Sequence, residues 1–355
     1  MKRPNILLLH TDQQRFNTIA ALGAGHVKTP NLDRLVQRGL TFPRAYSSSP
    51  LCMPARHDLL TGTSARRHGY YDNCAVFKGA PEIPIADYGL ATLPRMLTWH
   101  GYQTIAVGKM HFAPEREHHG FNHMYLMEEI PTCRENDAYL QFLEANGYGD
   151  VRCQHGVRPI LYPTPQASRV PEEFHGSAWV AHKTNELLRM ERDQPFFIWS
   201  SWVGPHPPFY VPQKYLDLYK DAEFPPSYLT PDQQEETDVP PDKDVNHQWV
   251  QRFKEGYFAR ITMIDTWLGT ILDTLEETGQ ADNTVIIFTS DHGEMLGDRR
   301  WFSKTLPHDG SARIPLILSG PGIAAGTQAE VPVSTWDTAA TILDVAGITP
   351  PEAPL

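Results

Sequence analysis

The chain has 355 residues with a formal net charge of −11, 41% hydrophobic and 21% charged residues. That is enough for one large α/β domain with a packed core. No Lys/Arg block offers a nucleic-acid groove, and no apolar stretch nears the ~20 residues of a membrane span.

In chain order, "NILLLH" (5–10) is a short continuous apolar run ending in Thr11-Asp12-Gln13. Lys2 and Arg3 precede it, but the run is too short for a secretory leader and reads as a buried strand. With no leader, a cytoplasmic location is expected, and Cys52, Cys74, Cys133 and Cys153, which form no C-x-x-C pair, are expected as free thiols. "NLDRLVQRG" (31–39) and "TLPRMLTWHG" (92–101) read as helices closed by glycine. "YQTIAVG" (102–108) is a second strand, followed by Lys109-Met110-His111. "PFFIWSSW" (195–202) is a third, followed by Gly204-Pro205-His206. Residues 148–173 and 204–249, rich in Pro, Asp and Gln, predict surface excursions. Phe253, Tyr257, Ile261, Ile264, Leu268 and Leu275 recur at helical steps, which predicts a long amphipathic helix over 247–278. "NTVIIFTS" (283–290) is a fourth strand, followed by Asp291-His292-Gly293, and "RIPLILSG" (313–320) a fifth. A final helix is expected over 335–346.

Strands that are apolar on both faces suit a mostly parallel sheet with helices on both faces. In such sheets ligands sit beyond the carboxyl ends of the strands. Four strand candidates release Asp, Lys or His there, which predicts one site assembled from distant segments.

Asp12-Gln13 and Asp291-His292 together suit a divalent cation. Carboxylate and amide oxygens favour Ca²⁺ or Mg²⁺, and the imidazole draws the preference toward Mn²⁺ or Zn²⁺. Either pair alone is better explained by Asp12 or Asp291 capping the helix that follows. Lys109 and His111 share one face if strand geometry continues past residue 108, and two such groups suit a tetrahedral anion. His206 lies among prolines that fix its backbone. Lys304 in "WFSKTLPHDG" is a lone lysine. Cys52 precedes Pro54, which suits a first helical turn. Cys52 therefore sits at a helix N-terminus, where a thiolate is stabilised.

Cys52-Met53-Pro54-Ala55-Arg56 followed by "LLTG" (59–62) resembles the C-x-P-x-R signature of type I sulfatases, of the alkaline-phosphatase superfamily. Ala55 stands where many sulfatases have Ser. "PNILLLHTDQQ", "KTPNLDRLVQRGLTF", "GKMHF", "GPHPPF", "ADNTVIIFTSDHGEMLGD" and "SARIPLILSGPG" resemble further family segments, in family order. The resemblance implies one alkaline-phosphatase-like catalytic domain over 1–355. It implies a sulfate-ester hydrolase, with a small-molecule sulfate ester as substrate, and one divalent ion, calcium first, on Asp12, Gln13, Asp291 and His292. It also implies conversion of Cys52 to formylglycine by a formylglycine-generating enzyme. Arg56 would support that group, and Lys109, His111, His206 and Lys304 would line the sulfate and leaving-group pocket.

Gln13 and His292 depart from the commoner Asp and Asn, and resemble the branch holding phosphonate monoester hydrolases. That leaves a phosphonate monoester hydrolase or phosphodiesterase as the alternative, and an inactive anion-binding relative as a third. The K-x-H at 109–111 is sulfatase-like. The smaller C-terminal subdomain of relatives is expected to be absent. Tyr70, Tyr71, Asp72, Asn73, Trp301 and Phe302 are expected to shape the leaving-group pocket, unless they only pack. "EHHGFNH" (117–123) is a lesser candidate for a second metal site.

Overall fold

The computed structural model describes residues 3–73, 89–151, 154–157, 164–236, 244–245 and 248–349. Its main sheet has eight strands: β1 (Asn5–Asp12), β2 (Gly39–Thr41), β3 (Gln103–Gly108), β4 (His123–Leu126), β5 (Phe196–Pro205), β6 (Thr284–Ser290), β7 (Leu316–Ser319) and β8 (Thr327–Gln328). The order across the sheet is β8-β2-β7-β6-β1-β5-β3-β4. The central strands β6, β1, β5 and β3, with the edge strand β4, run parallel, with Ile6 opposite both Phe197 and Val285.

The fifth expected strand departs from the parallel pattern. "RIPLILSG" is divided at Pro315 into Arg313–Ile314 and β7, and β7 runs antiparallel to β6. Proline has no N–H for a ladder bond, so one continuous strand is broken there. Apolar content reports burial, not direction, so it cannot tell a parallel strand from an antiparallel one.

The main helices for this description are α1 (Pro30–Arg38), α2 (Cys52–Thr61), α3 (Leu93–Trp99), α4 (Gly176–Arg189), α5 (Gln248–Glu277) and α6 (Thr335–Val345), together with others such as Ala138–Ala145. Side chains alternate across a strand, so β1 serves two cores. Ile6 and Leu8 pack with Met53, Leu59 and Leu60 of α2, Leu93 and Leu97 of α3, and Ile342 of α6. Leu7 and Leu9 pack with Leu32 and Leu35 of α1, Trp179 and Val180 of α4, and Ile264 and Leu268 of α5. The sheet is thus covered on both faces, as expected. The 204–249 excursion holds short helices at Gln213–Asp217 and Pro231–Glu235. Among the described residues no helix is long and apolar enough to cross a membrane. Cys52 and Cys133 are free thiols, and Cys74 and Cys153 lie outside the described residues.

Candidate active site

Four parallel strands deliver polar residues to one edge. Asp12 ends β1 where the pairing with β5 slips between His10 and Asp12. Gln13 follows with φ 68, a turn pinned by Tyr257 of α5, whose hydroxyl donates to the Gln13 carbonyl oxygen at 2.8 Å and accepts from the Arg15 N–H at 2.9 Å. Asp291 and His292 follow β6, His206 follows β5, and Lys109 follows β3. Gly108 has φ 91, and a Cβ there would lie 1.9 Å from the Ser201 carbonyl oxygen, so only glycine lets β3 turn toward Lys109.

Cys52 is the first residue of α2, with Leu51 as an N-cap that offers no side-chain bond. Asn73 Oδ1 accepts the Met53 N–H at 3.0 Å, tying this helix start to the loop that follows. The Cys52 Sγ lies 3.2 Å from Lys304 Nζ, 3.2 Å from His292 Nε2 and 3.9 Å from Asp12 Oδ1. Arg56, one helical turn on, is fully buried. Its Nε meets Asp291 Oδ2 at 2.9 Å, its Nη2 meets Asp12 Oδ2 at 3.4 Å, and its Nη1 donates to the Lys109 carbonyl at 2.6 Å and Ser201 Oγ at 3.0 Å. Lys109 Nζ lies 2.5 Å from Asp12 Oδ2 and 2.6 Å from Glu129 Oε2. Lys304 Nζ donates to Gln13 Oε1 at 2.7 Å, and Gln13 Nε2 donates to Glu294. His206 Nδ1 is 3.5 Å from Glu129 Oε1, and its backbone N–H donates to the Asp12 carbonyl at 3.1 Å.

The structure thus brings together Asp12, Gln13, Cys52, Arg56, Lys109, His206, Asp291, His292 and Lys304. His111 sits beside them, but the shared-face expectation fails. β3 ends at Gly108 and His111 has φ 54, so the two-residue period of a strand no longer applies. Its Nδ1 is buried with no hydrogen-bond partner among the described residues.

Electrostatics follow from this crowding. Burial pushes the Asp12 carboxyl up, but Lys109, His206, Arg56 and Lys304 outweigh it and hold the group well below its usual range. Burial and Asp12 push the Cys52 thiol up, while Lys304, Lys109 and His292 bring it down to about 7. Burial lifts Glu128 to about 7 and also raises Glu294.

The donor chemistry fits a divalent cation. Ligand atoms of Asp12, Cys52, Asp291 and His292 all lie within 4.8 Å of one another and are buried. His292 Nδ1 meets the Gly293 carbonyl at 3.0 Å, which leaves Nε2 facing the carboxylates.

Glu128 and Glu129 were missed in the sequence. Glu128 Oε1 accepts the N–H groups of Met110 and His111, both at 2.9 Å, and so fixes the K-x-H backbone. The signal was present in "HMYLMEE", a short apolar run releasing acids at its carboxyl end, the same pattern as the other four strands. Of the expected pocket residues, Tyr71 and Trp301 are exposed, Tyr70 stacks on His57, and Phe302 packs on Trp249 and Phe253. The "EHHGFNH" histidines form no metal-binding group among the described residues; His119 is buried against Phe112 instead.

The family model named Sulfatase matches residues 4–348. The chain is 31% identical to an arylsulfatase of Clostridium perfringens over 386 positions, covering 99% of this chain and 76% of that protein. It is 32% identical to a choline-sulfatase of Rhizobium meliloti, covering 98% and 68%. Among solved structures it resembles a phosphonate monoester hydrolase of Agrobacterium radiobacter, with a TM-score of 0.80, 27% identity, and coverage of 98% and 74%.

Proposed function

The chain belongs to the sulfatase family, and from that premise we propose that one catalytic domain hydrolyses a small sulfate monoester at the edge where Cys52 meets Asp12, Asp291, His292 and Lys304. The observation carrying this is a C-x-P-x-R cysteine buried at a helix N-terminus within 3.2 Å of both Lys304 Nζ and His292 Nε2. A bare thiol would do other chemistry, so maturation calls for the formylglycine-generating enzyme that reads this motif. Formylglycine at position 52 would supply, as its hydrate, a hydroxyl nucleophile and a second hydroxyl for release of sulfate. Asp12, Gln13, Asp291 and His292 would hold a divalent ion, calcium by preference for the oxygen donors, which polarises sulfate oxygens.

The chain's own residues complete the reaction. Arg56 holds Asp12 and Asp291 in place and neutralises part of their charge. Lys109 and Lys304 donate to the sulfuryl oxygens, where negative charge develops. His206 or His111 protonates the departing alcohol oxygen. The opposite reading, a phosphonate monoester hydrolase or phosphodiesterase, is favoured by Gln13 and His292 and by the structural likeness to such an enzyme.

The test has two arms. Protein made with the converting enzyme should show, by intact mass, replacement of CH₂SH by CHO, and should turn over an aryl sulfate faster than an aryl phosphodiester with the same leaving group. Cys52→Ala should lose on the order of 10⁴-fold or more in kcat. Wild-type-like turnover by Cys52→Ala would overturn the proposal, and a preference for the diester would favour the alternative.

A further inference from the structure

Glu129 lies three residues beyond β4, the edge strand, and its side chain is only 8% exposed. One carboxylate oxygen pairs with Lys109 Nζ at 2.6 Å, and the other is 3.5 Å from His206 Nδ1. These are two of the groups assigned above to the transferring group and the alcohol that leaves it. Lys109 therefore sits between two carboxylates, Glu129 on one side and Asp12 at 2.5 Å on the other. Asp12 belongs to the metal-donor cluster with Asp291, Cys52 and His292, and Glu129 does not. A bound cation would thus draw on Asp12 and leave Glu129 as the carboxylate facing Lys109.

We propose that Glu129 is a specificity-determining residue. It lowers the positive field of the pocket so that a singly charged sulfate ester is accepted over a doubly charged phosphate monoester. The inference rests on the sulfatase reading above. Around Cys52, Arg56 and Lys109 pair with the carboxylates Asp12, Asp291 and Glu129 while Lys304 donates to Cys52 Sγ, so three cations stand with three carboxylates in this group. A divalent ion adds two positive charges. Without Glu129 the excess would be greater, and the gain would go mostly to the substrate with more negative charge.

Shape cannot make this distinction. Sulfate and phosphate monoesters are both tetrahedral with three non-bridging oxygens, but the phosphate is a dianion above its second pKa of ~6. A phosphodiester carries one charge, as a sulfate monoester does, so Glu129 is close to indifferent between those two. In this side-chain network Glu129 stands one hydrogen bond behind Lys109 and 3.5 Å from His206 Nδ1, which also meets the Pro207 carbonyl, so its charge acts from behind the groups assigned to the substrate.

The experiment uses the metal-loaded, formylglycine-bearing full chain at about pH 8, where the phosphate is a dianion. It compares kcat/KM for an aryl sulfate and the aryl phosphate of the same leaving group. Glu129→Gln should lower the sulfate-to-phosphate ratio about tenfold, chiefly by raising the phosphate arm. Glu129→Asp keeps the charge with a shorter reach, and should leave the ratio unchanged even if both activities fall. Glu129→Ser, neutral and small, carries the same expectation as Glu129→Gln should the amide not fold. The proposal is overturned if the neutral variants keep the wild-type ratio, or if Glu129→Asp shifts it as far as they do, since position and not charge would then be responsible. No aryl-sulfate turnover by the wild type would overturn the sulfatase reading itself, and this inference with it.

Discussion

Two buried polar clusters flank the same helix, and they manage burial in opposite ways. At the first turns of α2, Cys52 and Arg56 join Asp12, Asp291, Lys109 and Lys304, where Arg56 and Lys109 pair with carboxylates and Lys304 donates to Gln13 Oε1 and Cys52 Sγ. On its other flank, His57 joins His68, Tyr70, Phe112 and His119 in a set of packed rings. His57 stacks on Tyr70 with centroids 3.9 Å apart, and Phe112 meets His119 edge-on at 5.0 Å. Here burial drives two of the imidazoles, His57 and His119, toward neutrality. It holds His57 well below its usual value and brings His119 to about 4. His57 Nε2 and His119 Nε2 have no hydrogen-bond partner among the described residues.

The contrast accords with the proposed roles of the two clusters. Charges buried together at a high desolvation cost concentrate at functional sites. Where the fold needs only flat filler, a neutral imidazole serves as an aromatic ring, and the ion-pair geometries among those helix-flanking rings are Asp58–His68 at 2.9 Å and the longer Glu117–His119 at 3.6 Å.

If the first cluster is held by charge balance, removing its central cation should cost most. Arg56→Met in chelator-treated protein should lose about 3–5 kcal/mol, because Asp291 is left buried without its guanidinium partner and Asp12 keeps only Lys109. Urea denaturation reads this directly. A loss below about 1 kcal/mol would mean that the balance is not what holds the site.

The second cluster should respond to acid. His119 has a folded-state value of about 4 against its ordinary 6.5. The unfolded chain therefore takes up the proton first, and stability present above pH 6.5 is lost as pH falls toward 4. The size is about 3 kcal/mol at most. Glu128 runs the other way. Raised from 4.5 to about 7, it contributes stability below pH 4.5 that is lost as pH rises through about 7. His119→Asn suits the site's φ of 46 and should flatten the acid slope relative to wild type, measured as Tm against pH. An unchanged slope would show that His119 is not buried neutral.

The smallest effect should come from Tyr70→Phe. It removes the hydroxyl bond to the Ala113 carbonyl at 2.8 Å but keeps the ring on His57. The expected loss is about 1 kcal/mol, seen as a lower Tm with kcat unchanged. A matching fall in kcat would show that the ring cluster and the charged cluster are coupled through α2.

By itself the sequence determined the fold class and pointed to residues that the fold gathers at one strand end. Its apolar runs are long enough to be buried on both faces, and four of the five end in residues costly to bury without a purpose. Asp12, Cys52, Lys109, His206 and Asp291 were therefore legible from strand ends and one motif. The tertiary structure decided how they pair. Arg56 reaches Asp291 across 235 positions and Asp12 across 44. α1 has no side-chain cap of its own, and Asp265 of α5 supplies it by accepting the Leu32 N–H at 2.7 Å. The antiparallel course of β7, the turn that redirects His111, and the placing of Glu128 and Glu129 are of the same kind. Periodicity and local motifs report which faces are buried and where a segment stops. Partners, directions and charge balance depend on segments far apart in the chain, which meet only when the sheet and its two helical layers close.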